Sequence, residues 1–342
     1  MQKPEDSKFK IQNSLNWLRQ NLFNTWYNSI LTLFCLWLIY QLVAAILGWA
    51  IFKAQWAVVW ANLRLFLVGR YPAGETWRLW LVALILVGLT GLSAWQPRLL
   101  RRWLPAAWLV AFPVTLWLIG GGWGLMPVGT ELWNGLLLTL LMAVVSIVLS
   151  FPLGVLLALG RQSTLPVVRW FSIFYIEVIR GLPLIGILFM AQVMLPLLLP
   201  PEIRLDRVLR AIAGLTLFSA AYLAENVRGG LQSLPRGQVE AGKALGFNPF
   251  LVIGLIVLPQ ALRAVIPAIV GQFISLFKDT TLLSIVGLLE LIGIARSVLA
   301  QPQFLGRYAE VYLFIGIIYW FFCYTMSLVS RRLEQQLDVG KR

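Results

Sequence analysis

Glu240-Ala241-Gly242-Lys243-Ala244-Leu245-Gly246, followed after nine residues by Ile256-Val257-Leu258-Pro259, is a short polar interval in a very apolar chain, and its reading decides the fold. Glu240 to Leu245 suits a short helix. Gly246 can end it with a left-handed residue, and Phe247-Asn248-Pro249-Phe250 turns the chain into another helix. A compact helix–turn–helix at a membrane face is a surface on which another protein can push. Function is expected to be delivered there.

The rest of the chain supplies the membrane. Of its 342 residues 59% are hydrophobic and 12% charged, and the mean hydropathy is +0.80, which excludes a large soluble core. A net charge of +14 suggests nucleic acid at first sight, but the basic residues sit between apolar runs, where positive-inside bias and anionic lipid account for them. Nucleic acid is therefore not an expected partner. With no histidine, and with Cys35 and Cys323 deep in apolar runs, a His/Cys metal site, a Cys–His nucleophile and a disulfide framework are all disfavoured. The first apolar run starts far from Lys3, Lys8 and Lys10 and has no convincing cleavage site, so it reads as a retained span.

A span needs about 20 apolar residues. By that measure residues 1–28 (Trp17, Leu18, Leu22, Trp26) are an amphipathic segment at the cytoplasmic interface. Spans follow at roughly Ile30–Ile51, Trp77–Trp95 and Leu104–Gly120, with an interfacial segment at 52–76. Fourteen of the sixteen tryptophans fall at or before Trp133, which sets a compositional boundary near residue 128. Residues 1–128 read as a Trp-rich extension of three spans and 129–342 as a second, Trp-poor membrane module. The module's spans are roughly Leu132–Leu159, Val167–Leu199, Leu209–Val227, Phe250–Phe277 and Val311–Ser330, with Thr280–Leu291 apolar but too short to cross. Pro152, Pro183, Pro259 and Pro267 are expected to kink helices. The predicted fold class is an all-α integral membrane protein of about eight spans. On this layout sixteen of the 28 Lys and Arg lie on the N-terminal side of the membrane and eight on the other. The bias puts both termini and the Glu240 loop in the cytoplasm.

The polar residues at fixed offsets carry a resemblance. Glu-Ala-Gly, three residues, Gly, nine residues, Ile-x-Leu-Pro resembles the "EAA" loop of membrane subunits in bacterial ABC importers, with Gly242 where a second Ala is usual. Its flanks, Glu225-Asn226-Val227-Arg228-Gly229-Gly230-Leu231-Gln232-Ser233-Leu234-Pro235-Arg236-Gly237-Gln238 and Ser275-Leu276-Phe277-Lys278-Asp279-Thr280-Thr281-Leu282, are similar to the polar and general L-amino-acid uptake permeases. The resemblance covers roughly Thr130 to the C-terminus, and the three extra spans match the longer members of that family. It implies a type-1 (MetI-like) importer core of about five spans in the bacterial inner membrane. It implies two ATP-binding subunits and a homologous permease partner, or a second copy of this chain. It also implies an extracytoplasmic solute-binding protein and an amino-acid substrate. Glu240, Ala241, Gly242, Gly246 and Pro259 become the ATPase-coupling residues, and ATP with its magnesium belongs to the partner subunits. No cofactor and no catalysis are expected in this chain itself.

Gly237-Gln238-Val239-Glu240-Ala241-Gly242-Lys243 has the spacing of a phosphate-binding loop, but Ala244 stands where Ser or Thr is needed and no strand precedes it. Glu177 and Arg180 share a helix face just before Gly181-Leu182-Pro183. They read either as a local interfacial ion pair or as a brace for a break beside the pathway. Lys278-Asp279-Thr280-Thr281 reads as a junction, with Lys278 ending one helix and Asp279 or Thr280 capping a half-helix over Thr281–Leu291. The free N–H groups of that half-helix would suit a carboxylate, or the cap would act without ligand. The resemblance pairs Glu225, Asn226 and Arg228 with the coupling loop or a neighbouring subunit; an ordinary helix end explains them equally well. Gln192 and Glu290 are lone polar residues to which no role is assigned. Rival readings are a secondary transporter driven by an ion gradient, a scaffold, or the same importer with another small polar cargo.

Overall fold

The computed structural model describes residues 17–18, 20–95, 102–200, 202–235 and 237–336. Most of the expected cytoplasmic tail, with Lys3, Lys8, Lys10 and Arg19, lies outside them. So do Arg98, Arg101, Arg236, Lys341 and Arg342. The described chain falls into two compact units, one ending at Ala57 and the other beginning at Val58.

The first unit is built on α1 (Trp26–Phe52), which Thr25 opens by accepting a hydrogen bond from the Asn28 N–H. None of its most apolar stretch is buried. A helix apolar on every side, with none of that stretch buried among the described residues, is suited to lipid.

The second unit contains the remaining helices: α2 (Leu63–Val68), α3 (Thr76–Trp95), α4 (Leu104–Gly120), α5 (Gly135–Arg161), α6 (Pro166–Gly181), α7 (Leu184–Phe189), α8 (Arg207–Ser233), α9 (Gly237–Ala244), α10 (Leu258–Asp279), α11 (Leu291–Leu299) and α12 (Tyr308–Gln336). Six helical stretches among the described residues are long and apolar enough to cross a membrane. The bent pair α6–α7 with its continuation to Leu198 makes a possible seventh, and the 17-residue α4 is a shorter apolar helix. Together these coincide with the eight apolar runs expected from sequence. The protein is an all-helical, multi-pass membrane protein.

The kink expected at Pro183 within Val167–Leu199 turns the chain by 104° between α6 and α7. Pro183 has no N–H for the helix ladder and holds Leu182 extended, at φ −100° and ψ 142°. Segment 52–76 is not merely interfacial. Phe66 on α2 is fully buried and meets Phe314 edge to face at 5.5 Å.

Helix α8 is the hub. It packs most extensively on α5, then on α10, and 61% of its spanning stretch is buried. Helices in lipid gain little from hydrophobic burial against one another and associate through close backbone approach at small residues. Ala211, Gly214, Ser219, Ala220, Ala221 and Ala224 of α8 are all buried. A Cβ on Gly154 of α5 would lie 2.6 Å from Leu223 Cβ, and one on Gly230 would lie 2.5 Å from the Ala261 carbonyl oxygen on α10. Larger residues at these crossings would force the helices apart.

Candidate functional site

After α8 the chain passes through Leu234-Pro235 into α9, the short helix expected around Glu240. Gly246 has φ +81°, the left-handed conformation that releases the helix end. The Phe247 N–H then reaches back to the Gly242 carbonyl, and Asn248 accepts a hydrogen bond from the Leu251 N–H to open the next turn. Residues Val252–Val257 form a π-helical turn immediately before Pro259, which has no N–H to give the ladder.

Gly242 is buried where α9 crosses this π turn, and a Cβ there would sit 3.0 Å from Val252 Cγ2 and 3.1 Å from Ile256 Cδ1. The residue that departs from the familiar double Ala is thus the one pressed against the next helix. Gln260 adds a polar tie, its Nε2 donating to Gln238 Oε1 at 3.3 Å. The other side of α9 is open. Glu240 and Ala241 are exposed, Leu245 is 74% and Phe250 86% exposed, and no described residue bonds the Glu240 carboxylate. A small rigid helix with one packed side and one carboxylate-bearing open side can receive a partner surface without refolding.

A charged junction lies about two turns back along α8. Glu225 Oε2 accepts from Arg228 Nη2 at 2.7 Å and lies 3.4 Å from Arg180 Nη1, while Glu225 Oε1 accepts from Arg161 Nη1 at 3.0 Å. The same Arg161 nitrogen reaches Glu177 Oε1 at 2.9 Å. Arg180 also lies over the Tyr222 ring, and Arg228 donates to Gln232. Glu177 and Arg180 therefore do not pair with each other; each pairs across helices, joining α6 to α5 and to α8. Glu225 and Arg228 do not reach α9 among the described residues, and Asn226 donates instead to the Ala268 carbonyl on α10. Arg161 links two of these helices, yet in sequence it is one basic residue at a helix end.

The third set is rearranged. Lys278 does stand in the last turn of α10. However, the chain runs on from Asp279 into a 3-10 turn at Thr280–Ser284, so no half-helix starts at Thr281. Thr280 is buried and donates its hydroxyl to the Phe277 carbonyl, while the Thr281 carbonyl accepts from the Ser284 hydroxyl. The half-helix is α11, and its cap is Glu290. The two carboxyl oxygens of Glu290 accept from the Ile292 and Gly293 N–H groups, both at 2.9 Å, so that helix end is already occupied by a side-chain cap. Glu290 is fully buried, with the Tyr319 hydroxyl 3.4 Å away, and burial pushes its carboxyl up to about 7. Its segment is fastened to α5 where the Gly135 N–H donates to the Leu289 carbonyl and the Leu291 N–H to Thr139 Oγ1. Gln192 is also buried, donating to the Arg207 carbonyl from the π turn that follows α7. Neither residue advertised these partners, which lie on other elements.

The family described as "Binding-protein-dependent transport system inner membrane component" matches residues 150–339, a stretch that includes α9, the junction and Glu290. The inner membrane amino-acid ABC transporter permease YhdY of Escherichia coli is 40% identical over 99% of this chain and 97% of its own length. The glutamate/glutamine/aspartate/asparagine transport system permease BztC of Rhodobacter capsulatus is 34% identical over 96% of the chain and 95% of itself. The probable glutamine permease GlnP of Bacillus subtilis is 39% identical over 59% of this chain but 92% of its own length, so it is a shorter relative. A solved amino acid ABC transporter with histidines is 28% identical over 59% of this chain and 92% of that one, with a TM-score of 0.53. With the family matched across more than half of the chain, and full-length relatives at this identity, the chain belongs to the binding-protein-dependent transport system inner membrane components, the permease subunits of ABC importers.

Proposed function

We propose that this chain is the transmembrane subunit of an ATP-driven importer that carries polar L-amino acids across the bacterial inner membrane by alternating access. The observation that carries the reading is α9: a small helix inside the family-matched region, packed on one side through Gly242 and open on the other at Glu240, Ala241, Leu245 and Phe250. It has the shape and exposure to enter a groove of a cytoplasmic ATPase. Pro259 and the π turn behind it lead from that contact into α10. The amino-acid cargo is supported by the names of the full-length relatives. Both termini face the cytoplasm in this reading, as the charge bias requires. The working complex adds two ATP-binding subunits, which hold ATP and magnesium, and an extracytoplasmic solute-binding protein. It also adds a homologous permease, which we favour over a second copy of this chain because full-length forms of this kind are expected to work beside a related subunit. Glu177, Arg180, Lys278, Asp279, Thr280 and Thr281 take no direct part in covalent chemistry, which this subunit does not perform.

The test is capture of the chain from its native membrane, with ATPase activity measured on the captured complex and on Glu240→Ala. Recovery of an ATPase subunit and a related permease is expected, with the substitution lowering recovery or separating hydrolysis from uptake by at least about tenfold. A chain that comes down alone and still moves solute in ATP-free vesicles overturns the reading in favour of an ion-driven transporter. Uptake competed by a different polar metabolite but by no amino acid overturns the cargo alone.

A further inference from the structure

At the end of α8 away from α9, roughly 40 Å along a 27-residue helix, lies a cavity of about 190 Å³. It is lined by Arg70, Glu131, Trp133, Asn134, Asp206 and Arg207, together with the Gly287–Leu289 turn. The volume is several times that of a water molecule and smaller than a drug-sized pocket, so it suits a small polar solute.

The charges around it are bonded in an unusual way. Asp206 is fully engaged: one oxygen accepts from the Val208 and Leu209 N–H groups at the start of α8, and the other accepts from the Thr130 hydroxyl. The two arginines have only neutral partners. Arg70 donates to Asn134 Oδ1 at 3.2 Å and to the Glu131 carbonyl at 3.4 Å, and Arg207 donates to the Gly287 carbonyl at 3.0 Å. No carboxylate among the described residues forms an ion pair with either, which leaves most of the five donors on each guanidinium uncommitted. Glu131 is exposed, and its carboxylate is folded over Gly129, where any Cβ would overlap it.

The surroundings hold these groups in place. Asn134, the brace of Arg70, is buried against Gly69, where an added Cβ would collide with the Asn134 side chain. Gly287 has φ +84°, and a Cβ on it would stand 2.9 Å from Arg207 Nη2. The indole N–H of Trp133 is buried with no acceptor among the described residues.

We infer that this cavity binds a free zwitterionic α-amino acid, with its carboxylate on Arg70 and Arg207 and its ammonium on Glu131. Guanidinium forks match carboxylate geometry. The negative charge of Glu131, which also lines the cavity, disfavours a bare anion, and the two cations exclude a bare amine. The inference rests on the importer reading for the choice of an amino acid and for placing this end of α8 outside the cell. It gives the permease a solute site at its outer mouth, apart from the coupling end.

The assembled complex in lipid nanodiscs, without its binding protein, tests this with radiolabelled L-glutamine, whose side chain is uncharged. Saturable binding is expected. Arg70→Gln and Glu131→Gln, both at exposed positions, should each weaken it at least tenfold, and propionate and propylamine should compete at least tenfold less well than L-glutamine. No saturable binding, or binding that neither substitution changes, overturns the inference. So does displacement by propionate as effective as by L-glutamine with Glu131→Gln silent, which would mean a plain anion site. If the substitutions instead raise only the amount of binding protein needed to stimulate ATPase, the rim is a protein-docking surface and the inference also fails. Stimulation of the wild-type ATPase by the binding protein, read in the same preparation, keeps the importer reading separate: its absence counts against that reading.

Discussion

Glu225 and Glu290 are both carboxylates drawn away from water, and they are held in opposite ways. Glu225, toward the α9 end of α8, is surrounded by three guanidiniums from α5, α6 and α8. Glu290, in the segment beside the N-terminal end of α5, has two backbone N–H groups and a tyrosine hydroxyl. A carboxylate among cations is fixed in its charged form and ties their helices together. One among neutral donors keeps the choice of being charged or not. The helices near Glu225 are thus joined by charge, and the segment around Glu290 by capping and packing.

Removing the Glu225 charge should have the largest effect. Glu225→Gln leaves three arginines without their shared partner, and with the Glu225 side chain only 15% exposed the loss is expected at about 3 kcal/mol, seen as a lowered melting midpoint of the purified complex. A change no larger than that of an exposed pair would mean that the junction does not hold the helices.

The Glu290 carboxyl should appear in pH rather than in a single midpoint. Its folded-state value, about 7, lies above the ordinary 4.5, so the native protein favours the protonated form. Its contribution to stability is full below about pH 4.5 and falls as pH rises through about 7, by roughly 2 kcal/mol. Tyr319 and Arg296 also influence it; desolvation is the largest influence. Glu290→Gln should flatten melting curves collected between pH 5 and 8, and an unchanged slope would remove the distinction between the two carboxylates.

Packing along α8 offers a third comparison. Gly230→Ala sets a methyl against the Ala261 backbone oxygen and should cost about 1–3 kcal/mol. At Gly214 the nearest atom is a movable methyl, Leu188 Cδ2 at 3.3 Å, so Gly214→Ala should cost less than about 1 kcal/mol. Equal losses in thermal melts would mean that the crossings yield alike at both levels. The smallest effect belongs to Glu177→Gln. Its side chain is 55% exposed and its partner Arg161 retains Glu225, so less than about 0.5 kcal/mol is expected. A larger loss would extend the junction to α6.

These residues also mark what the sequence could disclose. Helix α9, the Gly246 release and the Asn248 turn are local, written in consecutive residues, and all were legible. The apolar runs were legible because lipid demands length and hydropathy and little else. The break at Leu182–Pro183 was signalled by the proline, but its angle was not. The Glu225 junction was hidden because Arg161, Glu177 and Glu225 belong to three helices and no offset relates them. At Asp279–Thr281 local capping logic chose the wrong start, because the chain can continue into a 3-10 turn and pass the cap on to Glu290. An isolated acid in an apolar run carried the information, but only the fold shows which N–H groups it meets.

The π turn at Val252–Val257 has a kinematic meaning. Each π turn stores one residue more than the α-helical path needs. Converting it to α geometry would turn α9 about 100° around the α10 axis and push it outward along that axis by roughly 1.5 Å, the screw displacement of one helical residue. In the importer reading proposed above, such a turn would act as gearing, converting a small push on α9 into rotation of the helix that follows.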